Sequence, residues 1–167
     1  MKYKINLRFD VKRLANVGMS IHIRRCIAAA LKEEGVNFPC EINVLVTGND
    51  GIQAINDAQR HVNQPTDVLS FPMFSLTLGQ LPEDVEAMVD PDTGLVPLGD
   101  MVISLERARA QGEEFGHGTR REVAYLAVHS VLHLLGYDHM DEGPMKAQMR
   151  EREEAILGEL GIGREQP

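Results

Sequence analysis

The sequence predicts a single α+β domain, of mixed α/β character, in which helices flank a central mixed four-stranded sheet. Short segments of alternating apolar residues are interleaved with longer segments of helical periodicity along the chain. The length of 167 residues is typical of one domain, and neither an internal repeat nor a linker divides it. The sequence therefore predicts that residues 1–167 form one domain.

The first half of the chain predicts strands and helices in alternation. Residues 2–9 alternate apolar and polar side chains, as a half-buried strand does. Ser20 is a suitable N-cap for a helix that runs to Glu34 and ends at Gly35. The apolar stripe of that helix comprises Ile23, Cys26, Ile27, Ala30 and Leu31. Residues 40–47 predict a second strand, residues 48–51 a loop, and residues 52–62 a second helix.

The second half predicts two more strands and three more helices. Residues 68–71 form a short strand that Pro72 ends, and residues 99–104 form the last strand. Between them, residues 75–98 predict a long acidic loop with five carboxylates and no base, a kind of segment that is typically functional or mobile. The helices cover residues 106–115, 119–135 and 143–160, with Thr119 as the N-cap of the second and a turn at residues 116–118 before it.

Composition and charge narrow the class of protein. The formal net charge is −8, but residues 1–74 are mildly basic, so charge leaves RNA binding possible without favouring it. No apolar stretch is long enough to span a bilayer, and the N-terminus lacks the apolar core of a secretory signal. Two cysteines, Cys26 and Cys40, are too few for a disulfide framework and predict buried, inert thiols. We therefore expect a cytoplasmic protein without a membrane partner.

Three histidines within eleven residues predict a metal site. His129 and His133 lie four residues apart on a predicted helix, which places both imidazoles on one face. Gly136 sits where that helix would end in the left-handed conformation, so that the chain can turn back and present His139. Three protein nitrogens leave a fourth tetrahedral position for water, which is the arrangement of a catalytic zinc site. Zinc peptidases carry a glutamate after the first histidine, and Ser130 occupies that position here.

Other polar residues predict structural roles. We expect His22, His61 and His117 to be surface or cap residues, Asp67 and Asp100 to be structural hydrogen-bonding groups, and Glu122 to form a salt bridge. Asp138 either caps the turn after the helix or orients a metal ligand. Met145, Met149, Ile156 and Leu160 are spaced as a helix face that packs into the core.

Three blocks of sequence resemble the YbeY family of bacterial endoribonucleases. The first is N-D-A-Q-R at residues 56–60, followed by P-T-D-V-L-S-F-P at residues 65–72. The second is L-G-D-M-V-I-S at residues 98–104, and the third is H-S-V-L-H-L-L-G-Y-D-H at residues 129–139. Ser130 departs from the family pattern, which usually has glycine at that position.

The resemblance implies a metal-dependent endoribonuclease that prefers single strands. The YbeY family acts in maturation of the 3′ end of 16S ribosomal RNA and in ribosome quality control. The resemblance further implies one zinc ion per chain held by His129, His133 and His139, with Arg60 as the catalytic arginine of the cleft. The partners it implies are single-stranded RNA, ribosomal RNA and the small ribosomal subunit; the oligomeric state stays open.

Two other functions remain compatible with the sequence. One is a zinc metallohydrolase of another class, most obviously peptidase-like, which an accessible glutamate beside the metal would favour. The other is a non-catalytic, zinc-containing ribosome assembly factor, which a fourth protein ligand closing the coordination sphere would favour.

Overall fold

The computed structural model describes residues 3–77, 80–137 and 143–162, which form an α+β fold with one mixed sheet. The strands are β1 (Tyr3–Phe9), β2 (Cys40–Thr47), β3 (Val68–Pro72) and β4 (Val96–Ser104). The helices are α1 (Val17–Glu33), α2 (Asn49–Arg60), α3 (Leu105–Glu114), α4 (Gly118–Leu134) and α5 (Pro144–Glu159). Short 3₁₀ turns lie at Lys12–Leu14 and Glu86–Met88. The predicted fold class is confirmed.

The sheet has the strand order β1-β2-β4-β3. Strands β1, β2 and β4 are parallel, and β3 pairs antiparallel with β4 at one edge. A parallel pair needs a long crossover, and α1 supplies it between β1 and β2. Residues of the antiparallel edge strand β3 line the cavity described below.

The core lies between the sheet and the helices α1 and α4. The predicted apolar stripe of α1 is fully buried, and β2 buries Ile42, Val44 and Val46 as its alternation predicts. Helix α4 is buried on nearly every side, which is why its sequence is apolar over most of its circumference. The predicted apolar face of α5 is buried at Met149 and Ile156. Helix α4 is thus a rigid central element on which to hold functional side chains.

The structure corrects the predicted starts of α1, α4 and α2. Helix α1 begins before Ser20, because the side chain of Asn16 accepts a hydrogen bond from Met19 N at 3.0 Å and caps the helix there. Helix α4 begins at Gly118, one residue before Thr119. The predicted loop at residues 48–51 is mostly helix, since α2 begins at Asn49.

Tertiary contacts explain the early start of α2. The backbone N–H of Asn49 donates to Glu106 Oε1 at 3.1 Å, and Ser104 Oγ donates to Asn49 Oδ1 at 2.8 Å. These partners come from the start of α3, far away in sequence, and they anchor the first turn of α2. The acidic side chain of Asp50 in that turn also suits the positive end of the helix dipole.

The acidic loop is shorter than predicted, because β4 begins at Val96 rather than at residue 99. A register shift between Glu41 and Ile42 absorbs an extra residue of β4 and keeps the first part of the strand paired with β2. Partly buried apolar residues of the loop, namely Leu81, Val85, Met88 and Val89, pack against the core. The mobility of the loop stays a prediction. Within the described ranges, no helix has the length and apolar character needed to cross a membrane.

Candidate functional site

Helix α4 brings two of the predicted metal ligands together. The Nε2 atoms of His129 and His133 lie 3.0 Å apart, with ring centroids at 4.6 Å and planes inclined by 79°. Two nitrogens bound tetrahedrally to one zinc ion at about 2.0–2.1 Å would lie about 3.3 Å from each other. The two imidazoles therefore present their Nε2 atoms almost as a shared ion requires.

Both histidines line a cavity of about 820 Å³. Its wall comprises Arg60, residues 66–70, residues 72–76, His129, His133, Gly136 and Tyr137. These residues come from the end of α2, from β3 and the segment after it, and from the end of α4. The cavity thus collects residues from two of the sequence blocks that suggested a family.

Arg60 is the last residue of α2 and lines the same cavity as the two histidines. The helix stops there because His61 adopts the left-handed conformation at φ 60°, which histidine tolerates better than most side chains. The buried Asn56 holds the following turn, since its Nδ2 donates to the carbonyl of Gln64 at 2.9 Å. Arg60 is exposed to solvent.

The chain turns sharply after α4, as predicted. Gly136 has φ 99°, and a Cβ there would collide with the backbone carbonyl of Leu76. Tyr137 is buried, and its hydroxyl donates to Glu34 Oε2 at 3.2 Å. Burial, followed by the charge of Glu34 and this hydrogen bond, raises the pKa of Tyr137 to about 12. His139 and Asp138 lie outside the described residues, so the third ligand and the role of Asp138 stay predictions.

Glu153 belongs to the site but escapes prediction from the sequence. Its Oε1 lies 2.7 Å from His129 Nδ1, and its side chain is only 7% exposed. It comes from α5, 24 residues further along the chain. The available signal was a carboxylate on the apolar face of α5, one turn after Met149 and one turn before Ile156.

Ser130 connects α4 to β3. Ser130 is fully buried, and its Oγ lies 2.6 Å from the Oγ of Ser70. Ser70 is one of the residues that line the cavity. Its side chain thus contacts the sheet rather than the space between the two histidines. Tyr125 stacks on His129 with ring centroids 5.6 Å apart, and burial raises the pKa of this tyrosine to about 12.

The other predicted polar residues divide into confirmed and corrected roles. His61 caps α2, Glu122 pairs with His117 at 2.6 Å, and Asp67 accepts a hydrogen bond from Val68 N at 2.7 Å. Asp100 likewise accepts from Asn43 Nδ2 at 2.9 Å. The prediction for His22 is wrong: it is 2% exposed, because α1 packs on α4 and the His22 Nε2 lies 2.7 Å from the carbonyl oxygen of Arg120.

The thiols are buried as predicted. Both cysteines are 0% exposed, and burial raises the pKa of Cys26 to about 11 and that of Cys40 to about 12. Neither forms a disulfide, and neither lines the cavity. Thiols held neutral in this way are poor nucleophiles and poor metal ligands.

The donor set suits a divalent metal ion of the zinc type. Imidazole nitrogen is a preferred ligand of zinc, and a carboxylate on the opposite ring nitrogen is the usual support of such a ligand. Within residues 3–77, 80–137 and 143–162, no group of three histidine, cysteine or acidic side chains converges on one point. A complete site therefore requires a further ligand, and His139 remains the predicted one.

Sequence comparisons agree on one family. The family model described as Endoribonuclease YbeY matches residues 6–161. A protein named Endoribonuclease YbeY from Caldicellulosiruptor bescii is 51% identical over 138 residues, covering 83% of this chain and 82% of that protein. Proteins of the same name from Agathobacter rectalis and Clostridium botulinum are 42% and 45% identical, and each match covers at least 93% of both chains.

A solved structure shows the same fold. It is the solution structure of TM1509 from Thermotoga maritima, with a TM-score of 0.56 and 23% sequence identity. The match covers 94% of this chain and 91% of that one. At this identity the likeness supports the fold alone.

Proposed function

Since the chain belongs to the YbeY family of endoribonucleases, we propose that it is a zinc-dependent, single-strand-preferring endoribonuclease. Its proposed task is maturation of the 3′ end of 16S ribosomal RNA, together with ribosome quality control. One observation carries the chemical part of this proposal: Arg60, His129 and His133 line a single cavity although they come from distant parts of the sequence.

The proposed metal ligands are His129, His133 and His139, with one zinc ion per chain. The first two already direct their Nε2 atoms toward each other at 3.0 Å. When bound, zinc supplies Lewis acidity and lowers the pKa of coordinated water to about 7. The fixed helix α4 holds the two ligands in place without the entropic cost of ordering a loop.

The proposed role of Arg60 is to bind the phosphate next to the scissile bond. Its guanidinium carries a permanent charge and a planar fork of donors, which matches the oxygens of a phosphodiester. Because Arg60 is exposed to solvent and lines the cavity, it is accessible to a polyanion that enters from outside. Arg60 would thus align the backbone of the RNA across the two histidines.

The proposed partners follow from this substrate. They are ribosomal RNA and the small ribosomal subunit, and the proposed compartment is the cytoplasm, where ribosomes are assembled. Because the formal net charge is −8, affinity for RNA must come from local contacts such as Arg60 rather than from attraction to the whole molecule.

The structure disfavours the peptidase-like alternative. A peptidase of the zincin type needs a glutamate base beside the metal, and Ser130 in that position hydrogen-bonds to Ser70 instead. Among the described residues that line the cavity, Asp67 is the acidic one, and its carboxylate accepts a hydrogen bond from the backbone of β3.

A charge reversal at Arg60 tests the proposed cleft. Arg60→Glu should abolish cleavage of single-stranded RNA by the zinc-loaded protein, while zinc content and melting temperature stay close to wild type. Arg60→Lys keeps the charge but loses the planar fork of donors, so its activity should lie between that of wild type and that of Arg60→Glu. Arg109→Glu is the matched control, because it changes the net charge equally at an exposed residue of α3 away from the cavity. Unfolding or loss of zinc in Arg60→Glu would instead make Arg60 a structural residue.

Ribosomal RNA ends in cells test the biological part. A strain without the protein should accumulate 16S precursors with unprocessed 3′ ends, and an allele with all three histidines replaced by alanine should fail to restore processing. Normal 3′ ends in the deletion strain would contradict the proposed task. Full rescue by the triple-histidine allele would favour the non-catalytic assembly factor.

A further inference from the structure

A buried carboxylate on α5 contacts the candidate metal ligand from behind. Glu153 is 5% exposed as a residue and lies among the apolar side chains of the core-facing side of α5. Burying a carboxylate is costly unless a partner compensates for lost hydration. The partner is His129, whose Nδ1 lies 2.7 Å from Glu153 Oε1.

This contact determines which ring nitrogen of His129 faces the cavity as a ligand. A carboxylate accepts hydrogen bonds, so this contact favours the tautomer of His129 in which Nδ1 carries the hydrogen and donates it to Glu153. The lone pair then resides on Nε2, the atom that lies 3.0 Å from His133 Nε2. The stack of Tyr125 on His129 restricts rotation of the same ring.

We propose that Glu153 is a positioning residue that fixes the tautomer and orientation of His129 and thereby sets the metal affinity of the site. This inference rests on the metal site of the proposed function. Carboxylates that support a histidine ligand from its second nitrogen raise its basicity, and their removal typically weakens metal binding by about 10–100-fold.

The position of Glu153 also couples metal binding to the C-terminal helix. The same imidazole that would bind the ion holds α5 through Glu153, and Arg152, the preceding residue, donates to Glu34 Oε1 at 2.9 Å. Coupling between two equilibria is reciprocal. Zinc must therefore stabilise the docking of α5, and an intact contact to α5 must strengthen zinc binding.

The chain contains a matched control for this proposal. Glu122 is also a buried carboxylate, 4% exposed, and it pairs with His117 at 2.6 Å. The two histidine–carboxylate contacts are alike in distance and in the burial of the carboxylate, but Glu122 contacts Nε2 of His117, and His117 does not line the cavity. A purely structural role for Glu153 predicts that both glutamates behave alike toward metal.

The test is zinc affinity measured by chelator competition on the full chain. Glu153→Gln should weaken zinc binding by about 10–100-fold, and zinc should raise its melting temperature less than it raises that of wild type. Glu122→Gln should bind zinc as wild type does. Glu153→Asp keeps the charge and should recover part of the affinity, and it decides the question if Glu153→Gln does not fold.

The outcomes separate this inference from the proposed function. Tight zinc binding by wild type together with unchanged affinity in Glu153→Gln and Glu153→Asp would overturn the role of Glu153 alone. Equal weakening in Glu153→Gln and Glu122→Gln would overturn it too, since general destabilisation would then account for the loss. Failure of wild type to bind zinc would overturn the proposed metal site itself and this inference with it.

Discussion

At the scale of single residues, the proposed metal site depends on two imidazoles held one helical turn apart. His133 contributes one of the two Nε2 atoms that face each other, so His133→Ala should lower zinc content from about one ion per chain to a small fraction. Elemental analysis of protein purified without an affinity tag measures this. His117→Gln is the control, because His117 lies outside the cavity wall. Unchanged zinc content in His133→Ala would contradict the assignment.

Ser130 allows a second test at this scale, because its hydrogen bond to Ser70 links α4 to β3. Ser130→Ala should lower the free energy of unfolding by about 1 kcal/mol, the usual net value of one hydrogen bond. Ser130→Gly should cost about 1 kcal/mol more, since glycine disfavours a helix interior. Urea unfolding of both variants and of Ser70→Ala measures these values. Greater stability of the glycine variant than of the alanine variant would show that the serine side chain is strained.

The buried His22 predicts a pH dependence of stability. Burial lowers its pKa below 6.5; the hydrogen bond to the carbonyl of Arg120 opposes this shift, and the charges of Arg120 and Arg25 add to it. The unfolded chain therefore binds a proton more readily, so this residue destabilises the fold increasingly as the pH falls through about 6.5 toward the lower folded value. The free energy of unfolding of wild type should fall relative to that of His22→Gln between about pH 7.5 and about pH 5. A difference that does not change with pH would contradict this.

At the scale of elements, the turn after α4 forms one edge of the cavity. Gly136 has φ 99° and lies against the Leu76 carbonyl, whereas Gly116, after α3, has φ 73° and open space where an added methyl group would lie. Gly116→Ala should therefore cost only backbone strain, about 1–2 kcal/mol. Gly136→Ala should cost more, because it also displaces Leu76, and it should reduce zinc occupancy. If both variants lose the same stability and keep the zinc content of wild type, the close approach of Gly136 to the Leu76 carbonyl has no role in shaping the metal site.

The sequence predicts the interior of the elements better than their ends. Alternation along β1 and β2 and the stripe of α1 are local patterns, and burial follows them closely. The start of α2 escapes such patterns, because its first turn is anchored by Glu106 and Ser104 from around the start of α3. The start of β4 is not predicted by such patterns either, because an extra residue of β4, where its pairing with β2 shifts register, lets pairing extend back to Val96.

In the candidate site too, contacts between residues close in sequence are predictable and contacts between distant residues are not. The spacing of His129 and His133 is local and correctly predicts that they face each other. Their proximity to Arg60 follows from a resemblance between blocks of sequence rather than from spacing. Glu153 escapes prediction because its partner lies 24 residues away and no periodicity shows which carboxylate a histidine will bind.

At the scale of the whole molecule, the proposed function places a binding site for RNA, a polyanion, on an acidic chain. The net charge of −8 opposes RNA binding, and the proposed role of Arg60, which lines the cavity with the histidine pair, is to offset it locally. Cleavage should therefore be sensitive to salt, since a few phosphate contacts carry the binding. The mixed sheet contributes by holding β3 as an edge strand, and residues of β3 line the cavity together with residues of α4.

The decisive measurement for the proposed nuclease is cleavage of single-stranded RNA by the purified, zinc-loaded protein. Wild type should cut an unstructured RNA internally, and a variant with His129, His133 and His139 all replaced by alanine should not, although its circular dichroism remains that of a folded protein. Cleavage by the triple variant at the wild-type rate would contradict a nuclease whose chemistry depends on these histidines.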